Sequence, residues 1–229
     1  MARVITGAGD EVAPWRVVVP VKRLEVAKSR LAPLGDAARR ALALAFAEDV
    51  VAAAGACAVV ERVLVVTDDP DVADAVRRLG AAVVADEPDR GIDAALSHGA
   101  ALLGDPAACV AAVSADLPAL RADDLAAVLH SAHGTAVVPD AAGTGTTVLA
   151  STAGVPLRPR YGTRSLARHV ADGAQVLAAA DGVRRDVDTM ADLRDALALG
   201  VGPRTAAVAA DLGVAAVACR SPAPGTMAP

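Results

Sequence analysis

The sequence has few aromatic residues and few cysteines. It contains one Trp, one Tyr and one Phe among 229 residues, and Ala, Val and Leu supply most of its 54% hydrophobic fraction, so we expect an aliphatic core and almost no stacking of ligands on aromatic rings. The three cysteines at positions 57, 109 and 219 are odd in number, widely spaced and set in apolar surroundings. Such spacing excludes a disulfide framework or a zinc motif and favours reduced, inert thiols.

Long apolar runs and basic stretches are also missing. No run reaches the roughly 18 apolar residues of a membrane span, and no charged segment followed by an apolar one opens the chain, so we expect a cytoplasmic protein without a membrane partner. The net charge of -5 and the pI near 5.3 leave no basic stripe to displace counterions from nucleic acid. A single nucleotide stays possible as a ligand.

The chain instead shows alternating strand-like and helix-like segments, which predict one α/β domain with a parallel sheet between helices. The glycine fingerprint of dinucleotide-binding domains does not follow the first strand, and a Walker pattern is missing too, so both of those classes are disfavoured. The predicted strands are 17–19, 63–66, 82–85, 109–114, 135–138 and 146–149, with short candidates at 175–177 and 183–187. The predicted helices are 37–54, 71–79, 92–103, 122–132, 164–170 and 190–199, with one more from Pro203.

Local signals predict where helices begin and end and where the domain lies. Asp36, Thr163 and the pair Asp188-Thr189 are candidate N-caps, and Gly80 and Gly200 are candidate stops. Residues 1–14 are expected to form a flexible N-terminal extension and 15–202 the folded domain. Residues 203–229 form an Ala-rich segment that ends in a disordered tail from position 221.

An unbroken apolar run at 109–120 ends abruptly in Asp116-Leu117-Pro118. A run of this kind predicts a strand that is buried on both faces and is followed by one carboxylate. Open α/β sheets bind ligands at the C-terminal ends of their strands, where this carboxylate would lie. One interpretation is that Asp116 binds a divalent metal on a nucleotide or sugar nucleotide. The alternative is that it caps the helix that starts near Arg121.

Two other segments carry complementary chemistry. The loop after the first strand, residues 21–35, contains Lys22, Arg23, Lys28 and Arg30, which suit the phosphates of a triphosphate. In Asp186-Val187-Asp188 an extended backbone would place both carboxylates on one side, beside Asp116, where oxygen ligands suit Mg²⁺. Metal and cations together would neutralise charge on an α-phosphate and its pyrophosphate leaving group. The combination favours nucleotidyl transfer, although a helix cap and a solvated loop explain the separate segments equally well.

Six segments in order resemble a known family. They are PVKRLEVAKSRL, RGIDAAL, VSADLPAL, GTGTT, YGTRSLARH and RRDVDT, and the match around them runs from about residue 15 to residue 200. In this order they resemble the phosphoenolpyruvate or 2-phospho-L-lactate guanylyltransferases of coenzyme F420 biosynthesis. That family is similar in fold to the molybdenum-cofactor guanylyltransferases and the nucleotide-diphospho-sugar transferases, which implies a Rossmann-like three-layer sandwich with a mostly parallel central sheet.

The resemblance implies a role for individual residues. Lys22, Lys28 and Arg30 match the family's phosphate contacts for GTP, and Lys28 and Asp116 are the expected catalytic residues. The carboxylates that match the Mg²⁺ site are Asp116, Asp186 and Asp188. The positions that match the acceptor site for a small phosphorylated acid are Thr147, Gly162 and Ser165, beside the helix that follows Thr163.

One departure concerns guanine. Where the family commonly reads Gly-Leu-Asn, this chain has Gly91-Ile92-Asp93, so Asp93 is a candidate acceptor for guanine N1–H and N2–H₂, with Glu87 as its competitor. Because an ionised acceptor phosphate needs no general base, His98, His130 and His133 receive no catalytic role. His169 lies near the acceptor loop and stays a minor candidate.

Two other functions compete with guanylyl transfer. A sugar-nucleotide-dependent glycosyltransferase of similar fold usually needs an Asp-x-Asp after the fourth strand, but Ser114 stands at its first position here. A non-catalytic nucleotide-binding paralogue is the second alternative, and the intact Asp116, Asp186 and Asp188 argue against it. The expected acceptor is phosphoenolpyruvate, and a downstream transferase of the F420 pathway is the expected protein partner.

Overall fold

The computed structural model describes residues 13–87, 89–103, 105 and 108–214. The predicted N-terminal extension lies outside these residues except for Ala13 and Pro14, and the predicted tail from 221 lies wholly outside them. Cys57 and Cys109 are buried free thiols, as predicted, and burial raises the pKa of Cys57; Cys219 is outside the described residues. None of the described helices is long and apolar enough to cross a membrane.

A seven-stranded sheet forms the centre of the structure in the order β3-β2-β1-β4-β6-β5-β7. Its strands are β1 (Trp15–Pro20), β2 (Val60–Val66), β3 (Ala82–Val84), β4 (Cys109–Val113), β5 (Thr135–Pro139), β6 (Thr146–Ser151) and β7 (Gln175–Val176). Only β6 runs antiparallel to its neighbours, β4 and β5. The predicted mostly parallel sheet is therefore confirmed, with β1 at its centre and β4 beside it.

Helices cover both faces of this sheet. They are α1 (Asp36–Gly55), α2 (Pro70–Arg77), α3 (Ile92–Leu103), α4 (Ala122–Ser131), α5 (Ser165–Ala171), α6 (Asp181–Arg184), α7 (Met190–Leu199) and α8 (Pro203–Asp211). A 3₁₀ helix, Ser29–Leu34, precedes α1. The described residues thus form the three layers expected for this class of fold.

Alternation along β1 divides the core between the two faces. Val17 and Val19 belong to the cluster that includes residues of α1, α2 and α4, whereas Val18 belongs to the cluster beneath α3. All three valines are fully buried, as expected for a central strand. Helix α3 lies very close to the sheet because Gly99 faces it: a Cβ there would stand 2.7 Å from Cγ1 of Val18. Side-chain packing on this face therefore depends on a glycine.

The helix predicted from Pro203 is present as α8 and packs on α1. The carboxylate of Asp49 in α1 accepts hydrogen bonds from the backbone N–H groups of Arg204 and Thr205, at 3.2 and 2.8 Å. These are the first-turn donors of α8, which have no partner within their own helix. A buried side chain of α1 therefore caps α8, and Thr205 and Ala209 are buried against the rest of the protein.

Three local predictions were wrong. Gly35, not Asp36, is the N-cap of α1, and Asp36 pairs with Arg39 one turn along. The N-cap of α5 is Arg164 in the left-handed conformation, not Thr163. The predicted strand at 183–187 is instead α6 followed by a non-helical segment, because the apolar Val183 packs into the core from a helical turn. The caps predicted at Thr189 and Gly200 are confirmed.

Candidate active site

A cavity of about 620 Å³ lies at the edge of the sheet where β1, β2 and β4 end. This size falls in the range of small-molecule and cofactor sites, roughly 300–1,000 Å³. The predicted site residues that line it are Lys22, Lys28, Arg30, Gly91, Asp116 and Asp188. The predicted residues that do not line it are Glu87, Asp93, Thr147, Gly162, Ser165 and Asp186.

Asp116 follows β4 and does not cap the next helix. The N-cap of α4 is Arg121, which makes no side-chain capping bond, so the capping alternative for Asp116 is wrong. Leu117, directly after it, is fully buried and fixes the turn. One carboxylate oxygen of Asp116, Oδ2, accepts a hydrogen bond from Lys28, while Oδ1 is buried and has no protein partner.

Lys28 lies between two carboxylates that are far apart in sequence. Its Nζ donates to Asp116 and, at 2.8 Å, to Oδ1 of Asp188. The lysine side chain is only 12% exposed. Burial lowers its pKa, but the attraction of Asp116 and Asp188 outweighs burial and leaves the pKa raised, so the group is a fixed ammonium ion. Lys28 also has a positive φ of 52°, a conformation that L-residues avoid unless the surroundings impose it.

The segment that carries Asp186 and Asp188 is held against the end of β4 from two sides. Helix α6 approaches so closely that a Cβ on Gly182 would lie 2.4 Å from the carbonyl oxygen of Ala119. The backbone N–H of Val187, between the two aspartates, donates to the carbonyl oxygen of Asp116 at 3.0 Å. These contacts bring together residues about seventy positions apart, as the predicted site requires.

The two aspartates of this segment differ in their electrostatics. Burial and the nearby carboxylates of Asp116, Asp188 and Asp140 raise the pKa of Asp186 to about 7. Burial would also raise the pKa of Asp188, but Lys28 and the cations around it lower it overall. Negative charge is therefore only partly compensated around Asp186.

The carboxylates around Asp116 and Asp186 are candidate ligands for a divalent cation. Among the described residues, no three Asp, Glu, His or Cys side chains form a complete metal cage. Mg²⁺, however, is usually held by one or two carboxylates plus substrate phosphates and water. The buried, unpartnered Oδ1 of Asp116 and the uncompensated charge at Asp186 fit such a cation. The donor set is thus suited to a metal that arrives with a phosphorylated substrate.

The basic loop is shaped by a residue that was not predicted from the sequence. Arg39 of α1 is buried and donates to the carbonyl oxygens of Leu24 at 2.8 Å and Glu25 at 2.9 Å, and to that of Ala27. Asp69, the N-cap of α2, accepts from the N–H of Leu24 at 2.8 Å. Buried backbone groups need such partners, so these two side chains fix the loop that presents Lys22 and Lys28. Arg39 lies on the buried face of α1 with Leu42, Ala43 and Phe46.

Three acidic residues other than those predicted line the cavity: Asp68, Asp86 and Asp89. Asp68 follows β2 and Asp86 follows β3. Asp68 accepts from the N–H of Asp86 at 3.0 Å, and Oδ1 of Asp86 is buried without a partner. Asp93 instead accepts from the N–H of Tyr161 at 2.7 Å. The sequence could not separate these acids, because loops have no periodicity to indicate which side chain faces a cavity.

The predicted acceptor residues lie on the other side of Asp116, near β6. The carbonyl oxygen of Thr147 accepts from the N–H of Ser114 at 2.9 Å, which joins this region to the end of β4. Thr147 and Ser165 are buried, and their hydroxyls bond to protein groups, the carbonyl of Val138 and the hydroxyl of Thr146. Gly162 has a φ of 104°, which favours glycine at the turn before α5.

Comparisons with known proteins identify the family of this chain. Residues 15–223 match the family model described as guanylyl transferase CofC like. The phosphoenolpyruvate guanylyltransferase of Streptomyces coelicolor is 56% identical over 208 residues, which cover 88% of this chain and 98% of that protein. The chain belongs to this guanylyltransferase family.

Solved structures support the fold. A nucleotidyl transferase from Methanothermobacter thermautotroptrophicus superposes with a TM-score of 0.59 and 19% identity, over 82% of this chain and 97% of that one. CMP:2-keto-3-deoxy-manno-octonic acid synthetase, complexed with CTP, superposes with a TM-score of 0.56 and 18% identity, over 82% of this chain and 98% of that one. The predicted nucleotide-diphospho-sugar-transferase-like fold is confirmed. Family membership also supports nucleotidyl transfer over the glycosyltransferase and non-catalytic alternatives.

Proposed function

We propose that this chain transfers GMP from GTP to phosphoenolpyruvate and releases pyrophosphate, in the cytoplasm, as a step of coenzyme F420 biosynthesis. The observation that carries the proposal is the position of Lys28, which bonds both Asp116 and Asp188 at the wall of a nucleotide-sized cavity. The relatives named phosphoenolpyruvate guanylyltransferase support the choice of acceptor.

In this proposal the GTP phosphates lie along the basic loop. Lys22, Lys28 and Arg30 line the cavity and provide three positive charges for a triphosphate. One or two of the predicted carboxylates Asp116, Asp186 and Asp188 would hold Mg²⁺ together with the substrate phosphates, and the metal would neutralise charge on the α-phosphate and on the leaving group when bound. The ammonium of Lys28 then stabilises the developing charge from the cavity wall.

The acceptor lies near Thr147, Gly162 and Ser165, on the far side of Asp116 from the basic loop. A phosphate oxygen of phosphoenolpyruvate attacks the α-phosphorus of GTP and forms a new P–O bond. The bond from that phosphorus to the bridging oxygen of the β-phosphate breaks, and its electron pair leaves with pyrophosphate. Because the attacking phosphate is already ionised, no side chain needs to remove a proton.

Substrate-dependent release of pyrophosphate tests the function. We expect release with GTP and phosphoenolpyruvate, weaker release with 2-phospho-L-lactate, and a requirement for a divalent metal. Each acceptor is assayed with GTP and with ATP, and omission of acceptor is the control. Absence of pyrophosphate with both acceptors, in Mg²⁺, contradicts the proposal.

In the proposed complex the carboxylate of Asp86 recognises guanine. A carboxylate accepts from both N1–H and N2–H₂ of guanine, whereas adenine presents a lone pair at N1 and would be repelled. The carboxylate of Asp68 holds the backbone of Asp86 in place by accepting a hydrogen bond from its N–H. Oδ1 of Asp86, buried and unpartnered, is an available acceptor at the cavity wall.

The Asp86→Asn variant should therefore change nucleotide preference. Loss of a charged acceptor should lower kcat/KM for GTP by about 10- to 100-fold. The asparagine amide can donate to the C2 carbonyl of xanthine, so kcat/KM for XTP should rise above the wild-type value. Glu87→Gln is the matched control, because Glu87 is exposed and outside the cavity lining, and it should leave both values unchanged. A fall with GTP and no gain with XTP would remove Asp86 from this role.

A further inference from the structure

His169 of α5 is a buried polar residue that the proposed chemistry does not use. It is 1% exposed and is one of the largest fully buried side chains. Both ring nitrogens have partners: the backbone N–H of Arg160 lies 2.9 Å from Nε2, and Oγ1 of Thr146 lies 3.0 Å from Nδ1.

These partners determine the protonation of the ring. A backbone N–H can only donate, so Nε2 of His169 must carry a lone pair and the ring must be neutral. The remaining ring proton is then on Nδ1 and is donated to Oγ1 of Thr146. Burial lowers the pKa of His169, and Arg168 and Arg160 lower it further, against the opposing carboxylates of Asp93 and Asp172. Burial and the two arginines outweigh the two carboxylates, so the pKa of His169 is lowered overall, in agreement with a neutral ring.

The ring joins three segments that surround the proposed acceptor site. Arg160 belongs to the loop that contains Gly162, Thr146 directly precedes Thr147, and the hydroxyl of Ser165 donates to Thr146 at 3.2 Å. The neighbouring Tyr161 ring packs edge-on against His169, with centroids 5.3 Å apart at 78°. The backbone N–H of Tyr161 is held in turn by Asp93 of α3.

We propose that neutral His169 is a positioning residue for the acceptor: by accepting from Arg160 and donating to Thr146, it holds Thr147, Gly162 and Ser165 in one arrangement. This inference rests on the proposed function, since it concerns where the acceptor binds. It assigns no contact between His169 and the substrate.

Two substitutions separate the two hydrogen bonds. The amide of glutamine can place its oxygen near the Nε2 position and accept from Arg160, whereas asparagine can place its N–H₂ near the Nδ1 position and donate to Thr146. We expect His169→Leu to raise KM for phosphoenolpyruvate by more than about tenfold, with smaller rises for His169→Gln and His169→Asn, and KM for GTP within about twofold of wild type. His130→Gln, at an exposed histidine of α4, is the matched control and should change neither.

A spectroscopic measurement tests the protonation state without any activity assay. The ¹⁵N spectrum of the wild-type protein at pH 7, assigned by comparison with His169→Gln, should show His169 neutral with its proton on Nδ1. A protonated ring, or a proton on Nε2, overturns the proposal, as do equal changes in the KM values of GTP and phosphoenolpyruvate. If wild-type enzyme released no pyrophosphate with any acceptor, the proposed function would fail. The ¹⁵N spectrum would still decide the protonation state of His169, because it does not depend on activity.

Discussion

Replacing Lys28 by methionine is expected to lower kcat/KM for GTP by about 10²- to 10³-fold, the usual cost of removing one preorganised charge from a transition-state site. Methionine keeps the length and most of the volume of lysine but removes the ammonium that bonds Asp116 and Asp188. The same variant should bind Mn²⁺ or Mg²⁺ more tightly in the absence of substrate, because the ammonium and the metal compete for the same carboxylates. The Lys28→Met variant should therefore show tighter metal binding together with a lower kcat/KM.

Steady-state kinetics and calorimetric metal titration check both parts. Lys22 and Lys28 are the only lysines of the sequence, which uses arginine elsewhere, so Lys22→Met is a natural comparison in the same loop. Its effect should be smaller, since Lys22 is exposed. Lys28→Arg should also be impaired, because a planar guanidinium cannot replace a compact ammonium between two carboxylates. Less than a tenfold loss in Lys28→Met, or weaker metal binding, would contradict the assignment.

Asp116→Asn is expected to lower kcat by about 10³-fold with little loss of stability. The amide has the shape of the carboxylate and can still accept from Lys28, but it removes the negative charge on which a divalent metal depends. Loss of this charge also relieves the repulsion that raises the pKa of Asp186, so that pKa should fall.

The measurement is kcat as a function of metal concentration, together with a thermal melt. Asp123→Asn is the matched control, because Asp123 is an exposed carboxylate in the first turn of α4, outside the cavity lining. It should behave as wild type. An Asp116→Asn enzyme that kept more than about a tenth of the wild-type rate would exclude Asp116 from the catalytic site.

The parts of the site that the sequence predicts best lie at the ends of buried strands. Apolar runs identify β1 and β4 because both are buried on both faces, and the carboxyl ends of parallel strands share one edge. Asp116 and the basic loop are therefore placed correctly from pattern alone. The order of β4, β6 and β5 is not readable in this way, because nothing in the run at 146–151 indicates that it enters the sheet antiparallel between them.

The parts that the sequence does not predict depend on tertiary contacts. Helix α6 is a single turn held by the approach of Gly182 to Ala119, so a local pattern favours a strand there instead. Arg39 forms its hydrogen bonds with a loop 12 to 15 residues away, which no helical periodicity reveals. Loop geometry likewise decides that Asp86 lines the cavity whereas Asp93 and Glu87 do not.

A single turnover with GTP labelled in its α-phosphate, in the presence of phosphoenolpyruvate and Mg²⁺, tests guanylyl transfer directly. The label should appear in one product that contains both guanosine monophosphate and the three-carbon acid, joined as a diphosphate, in an amount equal to the pyrophosphate released. Asp116→Asn should form little of it. Label recovered only in GTP, GDP or free GMP would contradict guanylyl transfer to this acceptor.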